Sequence, residues 1–280
     1  MQIPRYNFQT NLKLKYSNLK NLYLVSCILK FKEYVLDFLF PKYCVNCGKE
    51  GDSVCFSCEE KIIPVVTQVC PTCKKINLHG SYHKKCSSGN LSGIICASYY
   101  EEGPIKEMIH NFKYNGVLEL GEPLAELMVE ALKRNNQAPI TNNQSNSNNQ
   151  IKKLKIGYSL DVGHCDLIIT FVPLHWHRQA QRGYNQAEIL AQKIGENLDI
   201  EVCDLLVKKQ STRRQAELTG SNRRKNLSGV FKTKTNIDIK NKKIIIVDDV
   251  TTTGSTLNEC AAVLKHAGAK EVWGLVVARG

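Results

Sequence analysis

The sequence predicts an α/β fold, a parallel sheet flanked by helices, with a small cysteine-rich metal-binding domain ahead of it. Three observations lead there. Short apolar runs alternate with helical periodicity from Gly93 onward, one of those runs ends in Asp-Asp followed by a hydroxyl- and glycine-rich turn, and cysteine pairs crowd into Cys44 to Cys86. The bulk numbers agree, since 280 residues with 42% hydrophobic and 23% charged side chains are ordinary globular composition and exclude a collagen-like or disordered chain. A formal net charge of +12 favours a polyanionic partner, whether nucleic acid, nucleotide phosphate or an anionic membrane surface.

Strands are expected over Gly93 to Ser98, Leu167 to Val172, Lys243 to Val247 and Glu271 to Val277, each a short apolar run. Helical spacing of apolar residues fits Pro104 to Asn111, Pro123 to Lys133, Asn185 to Glu196 and Ser255 to Ala267, which lie between or beside those runs. Strand then helix, repeated, argues for a parallel sheet covered on both faces, with ligands beyond the C-terminal strand ends.

Composition divides the chain into a basic extension over residues 1–32, a cysteine-rich domain over 33–92 and the α/β domain over 93–280. Residues 1–32 hold six Lys or Arg and no acidic residue. Their apolar stretch, Leu22 to Leu29, is bracketed by Lys20, Lys30 and Lys32 and falls far short of the roughly 20 residues that span a bilayer. No small-residue cleavage site follows, so neither a signal peptide nor stable membrane insertion is expected. A basic amphipathic helix and sequence upstream of the true start are the remaining readings, the second preferred. Within the α/β domain, residues from about 135 to 160 read as a flexible polar insertion, because Thr141 to Gln150 contains only Thr, Asn, Gln and Ser.

The chemistry concentrates in Lys243-Ile-Ile-Ile-Val-Asp-Asp-Val-Thr-Thr-Thr-Gly-Ser-Thr256. An apolar strand delivers Asp248 and Asp249 to its carboxyl end, where two acceptor-only carboxylates suit the paired hydroxyls of a ribose or a bound magnesium ion. The turn Thr251, Thr252, Thr253, Gly254, Ser255 and Thr256 offers hydroxyls, backbone N–H groups and a helix N-terminus to one phosphate group. Gly254 permits a left-handed backbone and close approach. A bland alternative is a buried strand with a solvated turn. Neither G-x-x-x-x-G-K-[ST] nor a G-x-G-x-x-G after a strand occurs, which disfavours P-loop and Rossmann sites.

This element resembles the signature of type I phosphoribosyltransferases. Two more blocks, Val172-Pro-Leu-His-Trp-His-Arg-Gln-Ala-Gln-Arg-Gly-Tyr-Asn-Gln186 and Thr212-Arg-Arg-Gln-Ala-Glu-Leu218 with Arg223-Arg-Lys-Asn-Leu-Ser-Gly-Val-Phe231, resemble the ComF (ComFC) family of competence-associated, phosphoribosyltransferase-like proteins, as do Leu39-Phe-Pro-Lys-Tyr-Cys44 and Phe112-Lys-Tyr-Asn-Gly116. The resemblance runs from about residue 33 to the C-terminus. It departs from the family at the polar insertion, the N-terminal extension, and Arg214 and Glu217, where the family tends to carry proline and glycine.

The resemblance implies phosphoribosyl pyrophosphate with magnesium as ligand, and pentosyl transfer as the activity. Asp248 and Asp249 would then hold ribose and magnesium, and the turn the 5′-phosphate. A basic flap over Lys208 to Lys225, with seven Lys or Arg against Glu217, would close over the pyrophosphate through Arg213, Arg214, Gln215, Arg223 and Arg224, with Arg182 beside it. A solvated basic loop is the plain alternative. The resemblance also implies uptake of transforming DNA, single-stranded DNA as partner, a DNA-uptake helicase or other competence proteins nearby, and a cytoplasmic location. A metabolic phosphoribosyltransferase of the amide-donor or purine type, and a non-catalytic DNA-binding module with a ligand-sensing remnant, stay open beside it.

Cys44-x-x-Cys47, Cys55-x-x-Cys58, Cys70-x-x-Cys73 and His83-x-x-Cys86 supply the eight ligands that two closed, structural zinc sites need. Consecutive pairs are the simplest grouping and interleaved pairs an alternative; His79 is the substitute should His83 stand aside. Lys42, Lys49, Lys61, Lys74, Lys75, Lys84 and Lys85 could meet phosphates, and Tyr43, Phe56 and Tyr82 could stack on bases. His175 and His177 form an H-x-H without a third ligand nearby, so a capping or core role is expected. Cys27, Cys96, Cys165, Cys203 and Cys260 read as ordinary small core side chains.

Overall fold

The computed structural model describes residues 41–87, 90–101, 103–136, 155–156, 160–161, 166–209, 229–234 and 237–280. The basic extension, the tract Thr141 to Gln150, Cys27 and Cys165 lie outside them. By packing, the chain divides into two units, Met1–Cys55 and Phe56–Gly280. In the first unit a tight knuckle is closed by Gly48 N–H donating to Cys44 O at 2.8 Å and Cys44 N–H donating to Lys49 O at 2.8 Å. Gly48 adopts φ 73°, the left-handed turn that glycine takes without steric penalty.

The second unit repeats that knuckle 26 residues later, where Lys74 N–H donates to Cys70 O at 3.0 Å and Cys70 N–H donates to Lys75 O at 2.9 Å. Here a lysine, Lys74, takes the left-handed position at φ 61°. A short helix α1 (Phe56–Glu59) opens the unit. The knuckle segment is tied to the first strand of the sheet by bridges Pro64 to Ser98 and Ser81 to Gly93. Gly80 sits so close to Ile94 that a Cβ there would lie 2.2 Å from the Ile94 carbonyl oxygen. Residues 56–92 therefore pack with the sheet as one body.

The predicted parallel sheet is present, with strand order β1 (Gly93–Tyr99), β8 (Glu271–Arg279), β7 (Lys243–Thr251), β4 (Leu167–Phe171), every neighbouring pair parallel. Along β7 the side chains alternate. Ile244 and Ile246 join Ile94, Val272, Val276 and the helix residues Leu257, Cys260 and Leu264 in one cluster. Ile245 and Val247, equally buried, turn to the other face. Burying both faces is what makes these strands read as unbroken apolar runs.

Helices α2 (Pro104–Tyr114), α3 (Gly121–Asn136), α5 (Gln186–Leu198) and α6 (Ser255–His266) stand where periodicity placed helices, with ends shifted by a few residues. α3 and α5 pack on each other and reach β1 and β7 respectively, while α6 packs against β7 and β8. Besides α1, the additions to the sequence expectation are α4 (Trp176–Arg182), the pair β5 (Leu206–Lys208) and β6 (Phe231–Thr233), and a small ladder of β2 (Lys155–Ile156) and β3 (Leu160–Asp161). That last ladder falls at the end of the stretch expected to be a flexible insertion. α4 has no buried residue and hence no apolar stripe to announce it.

The signature strand is also longer than expected, running to Thr251 rather than stopping at Val247. Toward β8 the register continues through Asp248 to Val276, Val250 to Ala278 and Thr251 to Arg279. On the β4 side it stops at Phe171 and Val247, and Val172 N–H makes the last bond there, to Val247 O at 3.0 Å. Pro173 follows, with no N–H to continue the ladder. The acids thus lie on a strand that is paired on one side and open on the other.

Candidate functional site

Asp248 and Asp249 occupy this half-open strand end and are half-buried. Each carboxylate accepts the backbone N–H of the residue that follows it: Asp249 N–H donates to Asp248 Oδ1 at 2.9 Å, and Val250 N–H donates to Asp249 Oδ1 at 2.6 Å. The second oxygen of Asp249 receives Lys113 Nζ at 2.9 Å. Burial, and then the adjacent Asp249 charge, push the Asp248 carboxyl up to about 7, with Lys113, its hydrogen bond from the Asp249 amide and Lys208 pulling the other way. Lys208, the first residue of the basic segment, lies with its Nζ 5.5 Å from the centroid of the Phe231 ring.

The turn after the strand is a built loop. Gly254 stands at φ 73° as the N-cap of α6, and its N–H donates to Thr251 Oγ1 at 3.1 Å. Thr253 Oγ1 accepts Ser255 N–H at 3.4 Å and donates to Ser255 Oγ at 3.1 Å. The N–H groups of Thr252 and Thr253 make no hydrogen bond among the described residues. A Cβ on Gly254 would lie 2.7 Å from Ile94 Cδ1, the movable end of a side chain, so it is φ rather than space that favours glycine there. Lys74, from the second cysteine knuckle, reaches the same loop and donates to Thr252 O at 3.5 Å.

The block after β4 organises the strand-end loop more than it presents free side chains. Asn185 caps α5 through Ala187 N–H at 3.1 Å and donates to Val172 O at 3.1 Å. Tyr184 hydroxyl donates to Phe112 O. Arg182 lies over the Tyr114 ring, 5.0 Å from its centroid, and donates to Gln186 Oε1 at 3.0 Å. His175 is the N-cap of α4, its Nδ1 accepting His177 N–H at 3.3 Å, which is the capping role expected of the H-x-H. Arg213, Arg214, Gln215, Arg223 and Arg224 lie outside the described residues.

The eight cysteine-domain ligands gather in consecutive pairs. Cys44, Cys47, Cys55 and Cys58 form one group and Cys70, Cys73, His83 and Cys86 the other, with the ligand atoms of each within 4.8 Å of one another. A tetrahedral site with zinc–sulfur bonds of about 2.3 Å sets ligand atoms about 3.8 Å apart, so both groups fit. Burial would lift the Cys70 thiol, but the N–H groups of Cys73, His83 and Thr72 outweigh it and hold it at about 6, which favours a thiolate ligand. His83 Nδ1 lies 3.3 Å from Cys73 Sγ, whereas His79 Nδ1 is 2.7 Å from Asn135 O, so His79 belongs to another contact. None of the described cysteines is in a disulfide, with Cys96 and Cys260 buried in the core and Cys203 half-buried. Of the proposed base-stacking aromatics, Tyr43 and Phe56 are exposed, but Tyr82 packs against the sheet cluster and burial lifts its phenol to about 12. The core claims Tyr82 because its ring covers apolar surface beside Ile94.

Sequence reasoning missed two residues. Lys113 was legible only as part of the Phe112-Lys-Tyr-Asn-Gly116 resemblance, and Lys74 only as one ribbon lysine among seven.

Comparison with known proteins accords with this geometry. The phosphoribosyl transferase domain family matches residues 180–280, and the double zinc ribbon domain family matches residues 35–87. The chain is 30% identical over 240 residues to competence protein F of Haemophilus influenzae, covering 84% of each chain. It is 25% identical over 229 residues to competence protein ComFC of Streptococcus pneumoniae, covering 80% of this chain and 86% of that one. It is 35% identical over 111 residues to the DNA utilization protein YhgH of Escherichia coli O157:H7, covering 39% of this chain and 48% of the relative. A double zinc ribbon followed by a phosphoribosyltransferase-type parallel sheet, shared nearly end to end with a competence protein, places this chain in the ComF family.

Proposed function

We propose that the chain binds phosphoribosyl pyrophosphate at the C-terminal end of β7 and transfers its phosphoribosyl group while handling single-stranded DNA in the cytoplasm of a competent cell. The observation that carries this reading is a half-buried acid pair followed at once by a glycine-capped loop whose Thr252 and Thr253 amides are unclaimed among the described residues. Asp248 and Asp249 would accept the ribose hydroxyls, and the loop would hold the 5′-phosphate through amides, hydroxyls and the α6 N-terminus. Magnesium, when bound, supplies positive charge to the pyrophosphate, and the two acids are the residues fitted to hold it. The reacting ribose carbon passes through a cation-like state, so the protein's task is positioning, charge and exclusion of water rather than supply of a nucleophile.

The zinc ribbons are structural in this reading, because four protein ligands leave a metal no open position. Their DNA role rests on the names of the relatives, which concern competence and DNA utilization, and on the net charge of +12. A DNA-uptake helicase or another competence protein is the proposed protein partner.

Calorimetry with phosphoribosyl pyrophosphate and magnesium tests the ligand. We expect binding by the wild-type protein and its loss, by a hundredfold or so for two half-buried acceptors, in Asp248→Asn/Asp249→Asn. Undiminished binding by the double variant would refute the site.

A further inference from the structure

The last turn of α2 places a lysine where the proposed ligand would arrive. Ile105, Met108, Ile109 and Phe112 are the buried face of that helix, and Phe112 is fully enclosed. The carbonyl of Phe112 is one of the orphan acceptors at a helix C-terminus, and the Tyr184 hydroxyl satisfies it from the loop after β4. That bond fixes the end of α2 beside the strand-end loops. Lys113, the next residue, is thereby aimed at the acids, its Nζ 2.9 Å from Asp249 Oδ2. Side-chain exposure is only 19% for Lys113 and 14% for Asp249, so this is no solvent-screened surface pair. Removing one partner of such a pair leaves an uncompensated charge in a poorly hydrated place.

Given that Asp248 and Asp249 are the ligand acids of the reading above, we propose that Lys113 is a binding residue of that site: a resident cation that neutralises the acid pair in the empty protein and sets how strongly ligand binding depends on a divalent ion. With Lys113 present, Asp249 is paired with an ammonium group and the charge of Lys208 also favours an ionised Asp248, so the site can receive a polyanion without first recruiting metal. Without Lys113 the acids carry excess negative charge. A divalent ion is then drawn in more strongly, and a metal-free sugar pyrophosphate is repelled. Lys113 also stands close enough to turn its ammonium from Asp249 to a ligand oxygen when magnesium takes over the acids. A purely architectural ion pair would show neither effect.

The test compares wild type with Lys113→Met and Lys113→Arg, using manganese(II) alone as the first probe and phosphoribosyl pyrophosphate with and without chelator as the second. Thermal melts check folding. We expect Lys113→Met to bind manganese at least tenfold more tightly at low ionic strength, given the strength of charge interactions at this distance and burial, and to lose far more ligand affinity than wild type when magnesium is chelated. Lys113→Arg should behave as wild type in both arms. Equal manganese affinity in folded Lys113→Met and wild type would overturn the proposal. Should that variant fail to fold, the Lys113 ¹⁵Nζ resonance of the wild-type protein decides instead: it should move on adding magnesium, and an unmoved resonance at saturating ion sinks the idea. Failure of the sugar-pyrophosphate reading looks different, with no variant binding that ligand at any magnesium concentration while the manganese difference persists.

Discussion

Asp248 has too little water around it to ionise as an ordinary carboxylate does, and the charge on Asp249 opposes it further, so its carboxyl is pushed up to about 7. The groups that face it are Asp249 on its own strand, Lys113 from α2, Lys208 from β5 and the Cys260 thiol of α6, itself raised by burial and by Asp248. The sign follows from linkage. A carboxyl raised in the folded state holds a proton the unfolded chain has released, so folding stability attributable to Asp248 falls as pH rises from about 4 toward 7. Ligand binding runs the other way, because ribose hydroxyls and magnesium need the ionised acid. Affinity for phosphoribosyl pyrophosphate should therefore rise roughly tenfold between about pH 6 and pH 8, the change in ionised fraction across a midpoint near 7. Titration calorimetry at several pH values checks this, and Asp248→Asn should flatten the profile; an equal slope in that variant would assign the titration elsewhere.

Among the elements, the turn between β7 and α6 is held at Gly254. Gly254 needs its left-handed φ, and a Cβ there would make the end of the Ile94 side chain move aside. Gly254→Ala should cost about 1–2 kcal/mol of stability from the backbone alone, measured by denaturant unfolding, and should weaken binding of the sugar phosphate more than it lowers the melting point. A variant as stable as wild type would mean the loop relaxes freely. Most of these elements could be read in advance, since β1, β4, β7 and β8 are apolar runs and α2, α3, α5 and α6 have one apolar face. Their ends could not. β7 runs past Val247 because β8 is long enough to keep pairing with it, and a partner's length is invisible in the strand's own residues. α4 has no buried face, and β5 and β6 are three residues each, too short for alternation to show.

Across the whole molecule, the second zinc group belongs to the same packed unit as the sheet, although composition alone set a border at residue 92. Lys74 of that knuckle adopts a backbone that side chains rarely take and reaches Thr252 O, so the knuckle and the turn after β7 share one framework. Among the described residues, no helix is long and apolar enough to cross a membrane. Zinc chelation of the full protein should lower the melting temperature of the sheet-containing unit itself and weaken binding of a single-stranded oligonucleotide, whereas Asp248→Asn/Asp249→Asn should leave oligonucleotide affinity intact. A sheet that melts unchanged after chelation would show the ribbon to be an independent appendage. Oligonucleotide affinity insensitive to salt would argue against phosphate contacts as its source.

The sequence by itself determined the class of fold, the eight metal ligands, the acid pair and the loop after it, because each of these is a local matter: an apolar run, a C-x-x-C turn, two adjacent carboxylates, a glycine where φ must be positive. Tertiary structure alone decided that Lys113 neutralises Asp249, that the charge of Lys208 reaches Asp248, and that Lys74 meets Thr252. Those pairs are separated by tens to hundreds of residues along the chain and brought together only by the burial of helix and sheet faces, a long-range effect that no local pattern records.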